Sequence, residues 1–321
     1  MRDAAVGVFL GRALADYAFG VDHPFGPRRE DAFVQEATRQ GLLARVRLLA
    51  PAEADVDALL TFHSRAYVQR VQRHSYDGYG FLDAGDTPAF PGVYEAAAAV
   101  VGSALEAAER IMDGSLRRAF VPIAGLHHAQ RASAGGFCVF NDAAVVYERL
   151  RCVHGLARVA YVDIDAHHGD GVFYPYQEDP ALIFADLHED GRFLYPGTGG
   201  AEERGQGSAV GRKLNIPLPP RADDRVFFRA WPAVEALLET YPPDFIIVQC
   251  GADCLSGDPI THLEFSSAVH AHAISRLCAV AEARGHGRVL CLGGGGYNLD
   301  NIGKAWSAVL QKLLESPVSG G

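Results

Sequence analysis

Short apolar runs rich in β-branched or aromatic residues recur along the chain at 119–123, 158–162, 182–185, 245–249 and 288–292. Each has the length of a strand. Between them, longer segments carry apolar residues at helical spacing: the alanine-rich 94–112, then 141–153, 224–239, 267–284 and 301–314. Strand and helix therefore alternate. The pattern predicts an α/β fold, a single domain over residues 1–321 with a mostly parallel central sheet and helices on both faces. A chain of 321 residues has room for two average domains, but no stretch of it reads as a linker.

In open α/β sheets ligands bind in the crevice beyond the carboxyl ends of the strands, so the polar residues that follow each run matter most. Run 119–123 leads into His127 and His128, and 158–162 into Asp163, Asp165, His167, His168 and Asp170. Run 245–249 leads to Asp253 and Asp258, and 288–292 to four glycines and Tyr297. Charges buried at such a rim must be paired or bound to a metal, because stranding one costs several kcal/mol. In extended backbone, alternate side chains share a face, which puts Asp163, Asp165 and His167 together. Asp165, His167 and one further carboxylate make a three-ligand site for a catalytic divalent ion. The competing reading is a helix-opening cluster around Gly171. Local sequence leaves the third carboxylate open between Asp258, fixed by a Ser256-Gly257 turn and by Pro259, and Asp253. Adjacent His127 and His128 suit general acid–base work, with Asp163 and Asp170 available to orient them. The run of glycines lets Tyr297 enter a crowded pocket and offer its hydroxyl to an oxyanion. It has neither the Lys-Ser/Thr of a phosphate loop nor dinucleotide spacing.

A formal charge of −10 argues against a phosphate-backbone binder, for which a basic stripe is expected, and suits cationic ligands. Six scattered cysteines without framework spacing read as reduced thiols. No stretch approaches 18 apolar residues, and the N-terminus lacks a signal peptide's pattern, so the expectation is a cytoplasmic protein with no membrane or nucleic-acid partner.

The motifs GLHHA, GGFCVFND, YVDIDAHHGDG, YPGTG, GADCLSGDP and LGGGGYNL occur in this order, after His23-Pro24, Pro27-Arg28-Arg29 and Phe62-His63-Ser64. In these the chain resembles the zinc-dependent histone deacetylase superfamily, which includes acetoin-utilisation-type deacetylases and acetylpolyamine amidohydrolases. The likeness covers nearly the whole chain, and FPGVYEAA points to the acetoin-utilisation branch. The resemblance implies an arginase/deacetylase-like fold and one zinc ion per chain, held by Asp165, His167 and Asp258. It implies that His128, backed by Asp170, is the general base and acid, that His127 with Asp163 gives electrostatic support, and that Tyr297 stabilises the oxyanion. Gly136, Phe137 and Tyr195 would wall a channel for an alkyl chain, Asp86 would hold substrate at the rim, and Arg29 would line an acetate-release cavity. The implied reaction removes acetyl or short acyl groups from lysine side chains of proteins or peptides; the alternative substrates are small acetylated amines such as acetylpolyamines. Two positions depart from the family pattern. Asp186 stands where relatives commonly carry serine, which leaves a structural potassium ion near Leu187-His188 open, and Tyr195 stands where phenylalanine is frequent. Sequence leaves the oligomeric state undetermined.

Overall fold

The computed structural model describes residues 6–316; the tail after Ser316 lies outside the described residues. Its strands are β1 Val6–Phe9, β2 Arg47–Leu49, β3 Arg118–Val121, β4 Val159–Asp163, β5 Leu182–Glu189, β6 Lys213–Leu218, β7 Phe245–Gln249 and β8 Val289–Leu292. They form one eight-stranded sheet in the order β2-β1-β3-β8-β7-β4-β5-β6. Every neighbouring pair is parallel.

The five expected runs are β3, β4, β5, β7 and β8, all buried along their whole length. Strands covered on both faces read as unbroken apolar runs, which is why these were legible. The other three lack that signature. β2 is a largely exposed three-residue edge strand. β6 carries Pro217, which an edge strand tolerates because one side of its ladder is unpaired. β1 has only four residues, one of them Gly7, against whose open face Leu116 packs.

Four expected helices appear as Val93–Met112, Asp142–Cys152, Ala268–Ala283 and Leu299–Glu315. The fifth is divided into Asp224–Ala230 and Pro232–Thr240, since Pro232 has no N–H to continue the ladder. Helices Arg29–Arg39 and Arg65–Asp77 lie in polar segments with a negative mean hydropathy and were not anticipated. The helices pack around the sheet in groups. Arg29–Arg39 lies against Leu299–Glu315, which in turn meets Ala268–Ala283, while Val93–Met112 packs on Asp142–Cys152 and Arg65–Asp77.

Parallel pairing places all carboxyl ends on one edge, and the register makes four of them level. Val121 pairs with Leu292, Leu292 with Gln249, and Gln249 with Asp163. The loops that follow these four residues therefore open onto a single rim.

Candidate active site

The loop bearing the two histidines is fixed by the helix that follows it. Asp142 is fully buried, and its carboxylate accepts the N–H of Gly125 and of Leu126, each at 2.9 Å. Asn141 caps the same helix through Ala144 N–H and donates its amide to Ala129 O at 3.0 Å. On this frame His127 Nδ1 lies 2.8 Å from Asp163 Oδ2, and His128 Nδ1 lies 2.7 Å from Asp170 Oδ1. Asp163 is itself held by the Tyr161 hydroxyl at 2.7 Å and by Asp165 N–H at 3.0 Å. Asp170 accepts from the Gln130 amide at 3.0 Å.

The two Nε2 atoms face each other at 3.1 Å, so one must donate and the other accept. Electrostatics decides which. Burial alone would lower both pKa values, but Asp163 and Asp165 outweigh it at His127 and lift that imidazole to about 10. At His128, burial and the charge on His127 win over Asp170, and the value falls to about 4. The surrounding carboxylates thus favour the proton on His127 as the donor, and leave His128 the acceptor with its Nδ1–H pinned by Asp170.

Strand β4 stops at Asp163, and the tight loop beyond it carries Asp165 and His167. Asp165 Oδ1 and Asp253 Oδ2 flank His167 Nδ1 at 3.1 and 3.2 Å. Among the described residues, the donor atoms of Asp165, His167 and Asp253 all lie within 4.8 Å of one another. The second Asp165 oxygen is held by the Gln249 amide at 2.7 Å and Gly295 N–H at 2.9 Å. Asp253 Oδ1 accepts Ala166 N–H at 2.9 Å. Glycine is required around this group: a Cβ on Gly251 would collide with Asp165, and one on Gly295 with Asp253.

The structure does not bring Asp258 into that tight group. It stands beside it, 8% exposed, accepting Ile260 N–H at 3.1 Å and Tyr297 N–H at 2.9 Å. His167 and Asp253 feel its charge. Three buried carboxylates around one imidazole draw positive charge. Burial would lower the His167 pKa, yet Asp165 and Asp253 raise it to about 10. This nitrogen and oxygen donor set fits a divalent ion of the zinc type.

The expected channel residues border the histidines. Phe137 stands edge-on to Tyr297, with ring centroids 5.7 Å apart, and Tyr195 edge-on to His128 at 5.0 Å. A side chain at Gly136 would strike the His128 ring. Asp86 is exposed, and its backbone carbonyl accepts from His23. Arg29 is 2% exposed, stacks on Phe25 at 3.8 Å and donates to Gly296 O at 2.9 Å and Gly294 O at 2.5 Å. Its remaining terminal nitrogen is a buried donor without a partner, and the guanidinium lies 6.0 Å from the Tyr297 ring centroid.

His168 of the polar run and Asp186 of β5 face elsewhere. His168 turns away to Thr198 Oγ1 at 2.8 Å. Asp186 gives one oxygen to His188 Nδ1 at 2.7 Å and the other to Gly169 N–H at 2.8 Å. The second His188 nitrogen meets Gly199 O at 3.0 Å, so both ring nitrogens face oxygen atoms; burial would lower this imidazole's pKa, but Asp186 holds it above the usual value.

Sequence reasoning missed Gln249, Asp142 and Tyr161. The signal for Gln249 was present, as the one polar residue closing an otherwise apolar strand. Asp142 looked like an ordinary helix start.

A parallel sheet whose carboxyl edge gathers two carboxylate-backed histidines, an Asp-His-carboxylate group and a tyrosine defines a class. Residues 23–313 match the family model described as "Histone deacetylase domain", and the chain belongs to that family, a hydrolytic deacetylase. It is similar to the acetoin utilization protein AcuC of Bacillus subtilis (strain 168), with 34% identity over 96% of this chain and 81% of that protein. The AcuC proteins of Staphylococcus xylosus (34% identity, 98% of this chain, 84% of that protein) and of Staphylococcus aureus (strain MSSA476) (32%, 96% and 81%) are similarly related.

Proposed function

We propose that the chain is a zinc-dependent amidohydrolase that removes acetyl or similarly short acyl groups from lysine side chains, consuming water and releasing acetate and the free amine. The observation that carries this reading is the convergence of the His127–Asp163 and His128–Asp170 pairs on the Asp165–His167 group beneath Phe137, Tyr195 and Tyr297. Asp165, His167 and Asp258 would hold the ion on the side that opens toward Tyr297. Asp253 is fully buried and anchors the loop through Ala166 N–H. A bound divalent ion supplies Lewis acidity, polarising a carbonyl and acidifying water near neutral pH.

The rest of the chemistry belongs to the chain. His128 Nε2 takes the proton of the attacking water and returns it to the departing nitrogen, while Asp170 fixes its tautomer. Cationic His127 donates a hydrogen bond and stabilises the negative charge that develops. The Tyr297 hydroxyl donates to the oxyanion; burial raises its pKa well above the usual phenol value, so it keeps its proton. Gly136, Phe137 and Tyr195 wall a slot for an unbranched alkyl chain, and Asp86 at the rim holds a backbone amide or an amine. The unpartnered Arg29 nitrogen is a ready donor for the carboxylate released behind Tyr297.

A second reading, hydrolysis of small acetylated amines such as acetylpolyamines, is favoured by the exposed Asp86 and the formal charge of −10. Turnover of acetyl-lysine peptides and of acetylputrescine by zinc-loaded protein separates the two. Higher kcat/KM on peptides supports the first reading, and the reverse order overturns it in favour of the second. No helix among the described residues is long and apolar enough to cross a membrane.

A further inference from the structure

The channel wall is built on a strained turn. Gly135 and Cys138 close it with reciprocal backbone bonds of 3.1 and 2.8 Å. Both central residues have positive φ, 50° at Gly136 and 69° at Phe137. Primed turns of this kind are normally filled by glycine or asparagine, because a Cβ crowds the neighbouring carbonyl in the left-handed region. A phenylalanine there stays only if its surroundings over-determine it.

Two buried hydroxyls do so from outside the turn. Thr87 Oγ1 accepts Phe137 N–H at 3.1 Å and donates to Asp83 Oδ2 at 2.6 Å. The direction is forced, since an ionised carboxylate only accepts. Asp83 Oδ1 gathers the N–H groups of Gly85, Asp86 and Thr87, each at 2.9 Å. On the other side, the Tyr17 hydroxyl donates to Phe137 O at 2.7 Å and accepts Val139 N–H at 2.9 Å. His23 completes the enclosure. Its Nδ1 accepts Phe25 N–H at 3.0 Å, which leaves the proton on Nε2 for Asp86 O at 3.3 Å, and its ring lies 4.6 Å from that of Phe137.

We propose that Thr87 and Tyr17 are positioning residues for the channel. They clamp both sides of the Phe137 backbone, hold its ring across from Tyr297, and tie the loop bearing Asp86 to the channel wall as one unit. The spacing between rim carboxylate and channel, and with it the grip on an extended acylated side chain, is then set by two hydroxyls that touch no substrate. This rests on the channel reading given under Proposed function.

The test uses the full chain with Thr87→Val, Thr87→Ser and Tyr17→Phe. Peptide-resolved amide exchange over 135–139 needs no substrate. It should accelerate about ten-fold or more in Thr87→Val and Tyr17→Phe and return toward the parent rate in Thr87→Ser. Unchanged exchange in both hydroxyl-deleted variants overturns the clamp. With an acetyl-lysine peptide, those two variants should raise KM about ten-fold while kcat stays within about three-fold, and Thr87→Ser should restore KM. Faster exchange with unaltered KM overturns the positioning role. A parent protein that cleaves no acylated amine defeats the channel reading instead, and the exchange result still decides whether the clamp exists.

Discussion

Gln249→Leu should uncouple metal affinity from the ligands themselves. The Gln249 amide is fully buried at the end of β7 and donates to Asp165 Oδ2 at 2.7 Å, while its carbonyl oxygen accepts Gly251 N–H at 2.7 Å. A hydrogen bond to a charged group contributes about 1.5–3 kcal/mol, and an orphaned buried N–H costs about 1–3 kcal/mol. The leucine variant should therefore lose roughly 3–5 kcal/mol of stability, a substantial part of the ~5–15 kcal/mol typical of a folded chain. Released from Gln249, Asp165 keeps only Gly295 N–H on that oxygen and can rotate away from His167. Loss of such a supporting contact lowers metal affinity about 10- to 100-fold. Competition with a chromophoric chelator measures the zinc affinity, and urea unfolding of the same sample measures the stability. A folded variant that binds zinc within about two-fold of the parent would refute the idea that Gln249 orients a ligand.

Asp258→Asn should abolish stoichiometric zinc binding, whereas Asp253→Asn should retain about one equivalent with weakened affinity; elemental analysis showing the reverse would make Asp253 the third ligand. His128→Ala should lower kcat about 10²- to 10⁴-fold with zinc content unchanged, and steady-state kinetics alongside metal analysis would expose any loss that is merely structural. His63 is held neutral, with Nδ1–H donating to Gln130 O at 3.0 Å and Nε2 accepting Asn141 N–H at 2.9 Å, and burial drives its pKa from 6.5 to about 3. The unfolded chain then takes up a proton the folded one refuses, so stability is intact above about pH 6.5 and declines as pH falls toward 3, by at most about 1.4 kcal/mol per pH unit. In urea titrations between pH 6 and 4, His63→Asn should show a shallower slope by about one proton, and equal slopes would contradict the assignment.

Much of this was legible in the sequence because fully covered parallel strands write themselves as apolar runs, and the residues just past them write the rim. Asp163, Asp165, His127, His128 and Tyr297 were found that way. Edge strands β2 and β6 stayed hidden because half-exposed backbone tolerates arginine, asparagine and proline. The choice between Asp253 and Asp258 was not local, since it depends on how the 250–259 loop folds back over Gly295 and Tyr297. Phe137 was visible as a wall residue. Nothing in its neighbours announced the left-handed backbone, which depends on Thr87 and Tyr17, 50 and 120 residues away.

We propose that one divalent ion and these converging side chains together cleave an acyl amide. Adding zinc stepwise to metal-stripped protein while following acetate release from an acetyl-lysine peptide tests it most directly. Activity should rise in proportion to zinc and level at one equivalent per chain, with Tyr297→Phe binding the same zinc but turning over about 10²- to 10³-fold more slowly. Full activity without zinc, or a plateau at two equivalents, would contradict it.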